Sequence, residues 1–572
     1  MKSLESASQA FRSAIRTGRI GTPVAARIVA HLTADHGQIE RLAARTLESA
    51  AGWFGIRSGQ LAARGSVKTG QLTALVRFAE GQTALVSAGS SGIGAPVLEM
   101  TLFGNRGVLS WEGNDHTSLL SEKDSEGELS ETARAFLNSI RASLQSGEPI
   151  SIDPRQADDT SPTAETKPWQ NESDPSPLSP AKVSTSPGHK PPYGLLLVAG
   201  DYTHQTNYVA ALTADKRCHV VGLTDDADVT DRRRKLNERL AIRLGVPVLP
   251  DLDQALRRKD VHIVSICSEP SRRGQIAVKA AEAGKHVYLD KPLAGSLRDA
   301  DAIVRAVDKT GVISHMFSQV HTPWAVRTRE IIESGELGNP TALHFDLCFA
   351  KGHAGSSKLG QPRPETAVPK RFELKDSKRE LSNVGVYPLV LLSWLLRRKV
   401  HAVYASTGNY FFAEHQRDGL EDFGQALLEL EGGVMATISV GRVGWSSHPS
   451  FGINRTVLIG SKGVATVDPH RPRVEIWSDA EPWSAPARNP EDPMGMWTQP
   501  PGNPFIPRPK EAWVRPPTVG PSSDASHFLD CIESGKESDI PVAVSAHVTE
   551  VLMAAYRSSA TGKVVKLPLP RD

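Results

Sequence analysis

Cysteine is scarce in this chain. Cys218, Cys267, Cys348 and Cys531 are the only four in 572 residues, and no two stand in a C-x-x-C spacing. That pattern excludes a disulfide framework or zinc knuckle readable from spacing, and it suits buried thiols in a reducing compartment. An excess of either charge is also missing. Sixty-six Lys and Arg against 64 Asp and Glu leave a formal net charge of +2, which gives no reason to expect nucleic acid or an anionic membrane as partner. Long apolar runs are absent too. The most apolar stretch, VYPLVLLSWLL at 386–396, falls short of the roughly 20 residues that cross a bilayer. The opening MKSLESASQAFRSAIRTGRIG has no apolar core of the signal-peptide kind. A cytoplasmic globular protein of roughly three or four domains is expected.

Residues 151–190, SIDPRQADDTSPTAETKPWQNESDPSPLSPAKVSTSPGHK, are dominated by Pro, Ser, Thr and acids. Without apolar periodicity they read as a disordered or extended linker between unequal halves. The second half opens with apolar runs at 194–200 (GLLLVAG), 219–225 (HVVGLTD), 261–267 (VHIVSIC) and 286–290 (HVYLD), separated by helical segments such as THQTNYVAAL and AVKAAEAG. Continuous apolar strands alternating with helices imply a parallel sheet covered on both faces, so residues 191–320 are expected to form a Rossmann-type domain. After about residue 340 come strand-like segments with glycines at their turns, TALHFDLCFA, GQALLELEGG, VMATISVGR and TVLIGSKG, around a helical run at 387–397. That texture predicts a second α+β domain with a mostly antiparallel sheet over 321–572.

The first half repeats part of the second. FRSAIRTGRIGTPVAARI (11–28) resembles VRTREIIESGELGNPTALHF (326–345), and ALVRFAEGQTALVSAG (74–89) parallels ALLELEGGVMATISVG (426–441). LEMTLFGNRGVLSW (98–111) parallels RTVLIGSKGVATV (455–467), and FLNSI (136–140) echoes FLDCI (528–532). Four matches in one order make residues 1–150 an additional N-terminal α+β domain of the same type, lacking a nucleotide-binding domain of its own.

AAEAGKHVYLDKPLAGS (280–296) resembles the helix–turn–strand of the glucose–fructose oxidoreductase/inositol dehydrogenase (Gfo/Idh/MocA) family, which ends in Glu-Lys-Pro, here Asp290-Lys291-Pro292. SGELGNP (334–340) is similar to that family's entry into its second domain, and LSNVGVYPLVLLSWLL (381–396) to its Asp-x-Gly-x-His/Tyr helix. The resemblance covers about 191–572. It implies an NAD(P)-dependent oxidoreductase acting on a hydroxyl or carbonyl of a sugar, polyol or related small molecule. The alternative is a catalytically inactive member serving as nucleotide sensor or structural subunit. It also implies that the C-terminal sheet packs on another sheet, either the 1–150 copy in an intramolecular pseudo-dimer or a second chain in a homo-oligomer.

After the first strand, Gly200-Asp201-Tyr202-Thr203-His204-Gln205 stands where a Rossmann phosphate loop needs glycines for close backbone approach. Only Gly200 of the G-x-G-x-x-G pattern remains; Gly200, Tyr202 and Thr203 are the cofactor candidates there. Asp225 follows the second strand, where an acid bonds the adenosine ribose and favours NAD over NADP. The neighbouring acids and Arg232 to Arg234 suit a solvated turn equally. Glu269 and Pro270 follow the third strand and complete the implied cofactor contacts with Lys291. The resemblance makes Lys291, Tyr387 and Asn383 the catalytic set. Lys291 contacts the reacting hydroxyl, and a nearby ammonium lowers a phenol's pKa, so Tyr387 can act as general base or acid. Asn383 stands in place of an aspartate and Val390 in place of a second acid. His321 and Arg327 suit either substrate contact or a helix surface. The basic stretch 351–380 and the tryptophans of 468–522 suit solvated or surface-pinned insertions. No metal site is expected.

Overall fold

The computed structural model describes residues 2–32, 38–66, 70–90, 97–113, 128–152, 190–200, 204–350, 372, 379–443, 452–468, 473–478, 512–514 and 524–571. Tyr202, Thr203, nearly all of the 151–190 linker and most of the 351–380 and 468–522 insertions lie outside them.

Strands β1 (Pro23–Leu32), β2 (Gly59–Ser66), β3 (Gln71–Phe78), β4 (Thr83–Ser90), β5 (Val97–Gly104), β6 (Gly107–Gly113) and β7 (Ile150–Ile152) form one sheet, ordered β6-β5-β1-β4-β3-β2-β7. Only β1 and β4 run parallel. β7 pairs with β2 through Ile150 to Ile152, so the folded unit runs past the expected boundary at 150.

The second sheet holds β8 (Tyr193–Val198), β9 (Cys218–Thr224), β10 (Ile263–Ile266), β11 (His286–Leu289) and β12 (Ser314–Met316), in the order β12-β11-β10-β8-β9. All its pairings are parallel. β8 is flanked by β9 on one side and β10 on the other, so the winding reverses beside β8, which is where ligands gather in open α/β sheets. The expected parallel Rossmann-type domain is present.

The third sheet contains β13 (Pro340–Ala350), β14 (Val400–Gly408), β15 (Phe423–Leu430), β16 (Met435–Val443), β17 (Gly452–Gly460), β18 (Gly463–Asp468), β19 (Arg473–Ser478), β20 (Ala512–Val514) and β21 (Val565–Lys566). Its order is β20-β19-β18-β17-β13-β16-β15-β14-β21, with only β13 and β16 parallel. From β18 to β21 it repeats the first sheet strand for strand. Local chemistry repeats as well. A Cβ added at Gly104 would lie 2.1 Å from the Ile20 carbonyl oxygen, and one at Gly460 would lie 2.0 Å from that of Leu337. Only glycine permits that approach.

One matched segment does not correspond. Ser143 Oγ accepts from Ala63 N and donates to the Glu148 carbonyl, and Ser558 Oγ does the same with Ala405 N and the Lys563 carbonyl. The counterpart of helix Glu131–Ser146 is therefore Val542–Thr561. The FLDCI helix, Asp524–Ser534, instead buries Phe528, Leu529 and Ile532 with Tyr193, Leu195 and Leu197 of the parallel sheet. Five residues of amphipathic helix carry too little information to separate the two. The second domain thus lends this helix to the first.

Alternation along β1 and β13 sets the layers. Ala26, Ile28 and Ala30 face helices Ile39–Phe54 and Glu131–Ser146, and Leu343, Phe345 and Leu347 face Glu380–Leu396 and Val542–Thr561. Their other faces meet. Val29 packs with Ala342, Val457 and Ile459, Leu75 and Leu85 pack with Tyr404 and Leu427, and Phe103 and Phe423 have ring centroids 5.3 Å apart. Buried charges cross this seam: Arg27 Nε lies 2.7 Å from Asp346 Oδ2, and Arg455 Nη2 lies 2.8 Å from Glu99 Oε1. Among the described residues no helix is long and apolar enough to cross a membrane.

Candidate active site

The carboxyl ends of the parallel strands bring Gly200, Asp225, Glu269, Pro270 and Lys291 to one edge of the sheet, because each follows its strand by four residues or fewer. Lys291 is buried, with 6% of its surface exposed. Its Nζ donates to the Asn383 carbonyl at 2.8 Å and to the Asn383 side-chain oxygen. It stands 5.2 Å from the centre of the Tyr387 ring. Structure therefore brings all three expected catalytic side chains together. Burial lowers the Lys291 pKa to about 8, against the opposing charges of Asp290 and Glu380. An ammonium poised near neutrality is suited to proton transfer.

Tyr387 differs from expectation. Burial, and then the charges of Asp290 and Asp524, push its phenol up rather than down. The ammonium spends its hydrogen bonds on Asn383 instead of the phenolate. Tyr387 is therefore a protonated phenol, able to donate a hydrogen bond but not to act as a base near neutrality.

Asn383 and Tyr387 share a face one turn apart on helix Glu380–Leu396, which begins seven residues before the expected 387. Arg379 at its N-cap provides no side-chain cap. The orphan donors are met from elsewhere: Glu421 accepts from Leu381 N at 3.1 Å and from the Tyr556 hydroxyl at 2.6 Å, while Tyr556 accepts from Ser382 N at 3.0 Å. Pro388 lacks the N–H that would have bonded the Val384 carbonyl. Val390 is core, as its apolar character implies.

Asp290 anchors the other side of Lys291. Tyr208 donates to Asp290 Oδ1 at 2.6 Å, His204 Nδ1 lies 3.1 Å from the same oxygen, and Lys291 N donates to it at 2.8 Å. Burial opposes this carboxylate, but His204, Arg273 and Lys291 outweigh it and hold Asp290 well below the usual range. His204 and Tyr208 are missing from the expected site; their i, i+4 spacing directly after the first strand was the available signal.

On the dinucleotide side, Gln205 replaces a glycine of the loop pattern. Its side chain is fully buried and turned toward β10, with Nε2 donating to the Ser265 carbonyl at 3.2 Å and Oε1 accepting from Ser265 Oγ at 3.0 Å. Helix Gln205–Ala214 starts with no side-chain cap, so its positive end suits a pyrophosphate. Gly200 N donates to Asn237 Oδ1 at 2.6 Å, and a Cβ there would meet Asn237 Cα at 2.8 Å, which explains why this glycine remains. These residues fit a bound dinucleotide. Asp225 is not in a solvated turn. Arg233 grips it from two nitrogens at 2.6 Å, Asn237 donates to it at 2.8 Å, and Arg233 also pairs with Glu269. Carboxylate oxygens accept more than one hydrogen bond, so a ribose hydroxyl can still join Asp225.

His321 and Arg327 lie apart from Lys291's contacts. His321 stacks 4.1 Å from His527 with Nε2 3.5 Å from Asp539, and Arg327 pairs with Glu330. His321, His527 and Asp539 bring their potential metal-binding atoms within 4.8 Å of one another, although no metal site was expected.

Residues 197–318 match the oxidoreductase family's NAD-binding Rossmann fold, and residues 325–466 match the GFO/IDH/MocA C-terminal domain. The chain is 27% identical over 241 residues to the uncharacterized oxidoreductase YrbE of Bacillus subtilis, a match covering 41% of this chain and 63% of that one. It is 27% identical over 224 residues to a dTDP-3,4-didehydro-2,6-dideoxy-alpha-D-glucose 3-reductase of Saccharopolyspora spinosa, covering 39% and 62%. It is 21% identical over 253 residues to a myo-inositol 2-dehydrogenase of Thermotoga maritima, covering 44% and 69%. The first two matches therefore span less than two thirds of those relatives. Residues 197–466 thus carry both domains of the Gfo/Idh/MocA oxidoreductase family in their order.

Proposed function

We propose that the chain is an NAD(P)-dependent oxidoreductase acting on a secondary hydroxyl or carbonyl of a sugar, polyol or related small molecule. The observation that carries this reading is Lys291, buried at the carboxyl edge of the parallel sheet and clasped by Asn383 beside Tyr387 from the second domain. Relatives named as a didehydro-sugar reductase and an inositol dehydrogenase support that substrate class.

When bound, the nicotinamide supplies or accepts the hydride. In reduction, the Lys291 ammonium gives a proton to the carbonyl oxygen as the carbon receives hydride, leaving an alcohol and a neutral amine. In oxidation the amine takes the hydroxyl proton back. Tyr387 donates a hydrogen bond to the same oxygen, and Asn383 orients the ammonium. Asp225, Glu269 and the uncapped helix at 205 hold the cofactor.

Residues 2–152 serve as a duplicated second domain that stands in for a partner subunit. The repeated strand order and the sheet-to-sheet seam support this pseudo-dimer. The four buried cysteines, none of them in a disulfide, support a reducing compartment.

A panel of polyols, inositols and didehydro-sugars with both nicotinamide cofactors tests the reading. Turnover by the wild type, with a loss of at least ~100-fold in Lys291→Ala and cofactor binding retained, is expected. Equal turnover in the variant removes Lys291 from the reaction.

A further inference from the structure

Asn383 carries no charge, yet it is the group that binds the Lys291 ammonium. The amide has a second partner. Its Nδ2 donates to Glu380 Oε2 at 3.1 Å, one helical turn back. Those two contacts also fix the amide's orientation, since the reverse would aim NH2 at an ammonium and oxygen at a carboxylate. Glu380 is completely buried. Beyond it, Arg442 Nε on β16 lies 2.9 Å from Oε1, and His415 Nε2, on helix Ala413–Asp418, lies 3.5 Å from the same oxygen.

Resting on the oxidoreductase reading, we infer that Glu380 is the remote counter-ion of Lys291, acting through the Asn383 amide, and that it is a positioning residue for the reaction. A buried ammonium needs compensating charge. Asp290 supplies one carboxylate, but its Oδ1 is shared by Tyr208, His204 and the Lys291 backbone. Glu380 supplies the other at one amide's remove, close enough to favour the ammonium. An aspartate at 383 would bind Lys291 as a direct ion pair. Asparagine with a glutamate behind it leaves the lysine freer to give up its proton, while Asn383 keeps it aimed.

Arg273 and Arg442 oppose the ammonium, and Asp290 and Glu380 favour it. His415 is opposed by burial but raised by Glu380 and Asp422, with Arg442 working against it. Of the two side chains that face Glu380 Oε1, Arg442 and His415, it is the imidazole that can change charge near neutrality. Its protonation draws on the same carboxylate that supports Lys291.

The test measures Lys291 itself. The full chain is labelled with trace acetic anhydride across pH, and acetylation at Lys291 is read by peptide mass spectrometry. In Glu380→Gln the labelling midpoint should fall by about one pH unit, a tenfold loss of proton affinity. In Asn383→Asp/Glu380→Gln, which returns a carboxylate one step nearer, it should rise to the wild-type value or above. The pH profile of turnover should move with it. An unchanged midpoint in Glu380→Gln, with circular dichroism like wild type, overturns the inference. So does a double variant that folds but keeps the lowered midpoint. If the midpoint moves while no cofactor-dependent turnover exists in any form, the linkage stands and the oxidoreductase reading fails. If turnover exists and the midpoint stays, the reverse holds.

Discussion

At the scale of single residues, the proposed reaction makes Lys291 the group that should set the pH behaviour. Its folded pKa of about 8 lies below the ordinary lysine value because burial disfavours the ammonium. Reduction consumes the ammonium form, so its rate should be flat below about pH 8 and fall tenfold per unit above it. Oxidation consumes the amine and should fall tenfold per unit below the same point. Rates measured in both directions check this, and a shared midpoint absent from both profiles contradicts it. Tyr387 should add no second limb near neutrality, because burial keeps its phenol protonated. Lys291 was legible in the sequence because Asp290-Lys291-Pro292 directly follows an apolar strand, so local context alone places it at the sheet edge. Asn383 and Tyr387 were legible only through the resemblance of their helix to the family's Asp-x-Gly-x-His/Tyr pattern. Glu380 was not, since a first-turn acid is ordinarily a solvated partner of the helix dipole. Arg233 was hidden for a related reason. Within a run of three arginines it resembles a solvated turn, and its contacts with Asp225 and Glu269 exist only once three strand ends converge.

At the scale of elements, helix Glu380–Leu396 is positioned through its N-terminus. Tyr556 both accepts from Ser382 N and donates to Glu421, which holds Leu381 N. Tyr556→Phe removes the hydroxyl and leaves two buried groups without it. A loss of about 1–3 kcal/mol in urea unfolding is expected, together with a fall in kcat, because Asn383 and Tyr387 ride on the first two turns. Stability lost with kcat unchanged would separate the cap from the catalytic geometry. The strands were legible from apolar runs and glycine turns, whose burial and close approaches are local. The FLNSI and FLDCI likeness misled because an amphipathic helix fits any apolar face. Its true equivalence is recorded in Ser143 and Ser558, whose hydrogen bonds span distant segments.

At the scale of the whole molecule, two sheets of matching order lie face to face, with helices outside both. Each contributes apolar side chains and buried charge to the seam, as Val29 with Val457 and Arg27 with Asp346 show. Removing residues 1–152 would expose Tyr404, Leu427, Val457 and Ile459 together with an unpaired Asp346, and the remaining chain should aggregate or form new oligomers. Light scattering and sedimentation of the truncated chain check this. A monomer of undiminished stability would mean that the first sheet is an accessory and not a substitute subunit.

On the proposed reading, the sheet edge at Gly200, Asp225 and Glu269 holds a nicotinamide dinucleotide against Lys291. Calorimetric titration of the full chain with NADH and NADPH tests it most directly. Micromolar affinity for at least one, on the order of −8 kcal/mol, is the expected result, since Gln205 is folded away from the loop and the following helix is uncapped. No binding up to about 1 mM, near −4 kcal/mol, would contradict it. Arg233, already seated between Asp225 and Glu269, would then be the residue that closes the site.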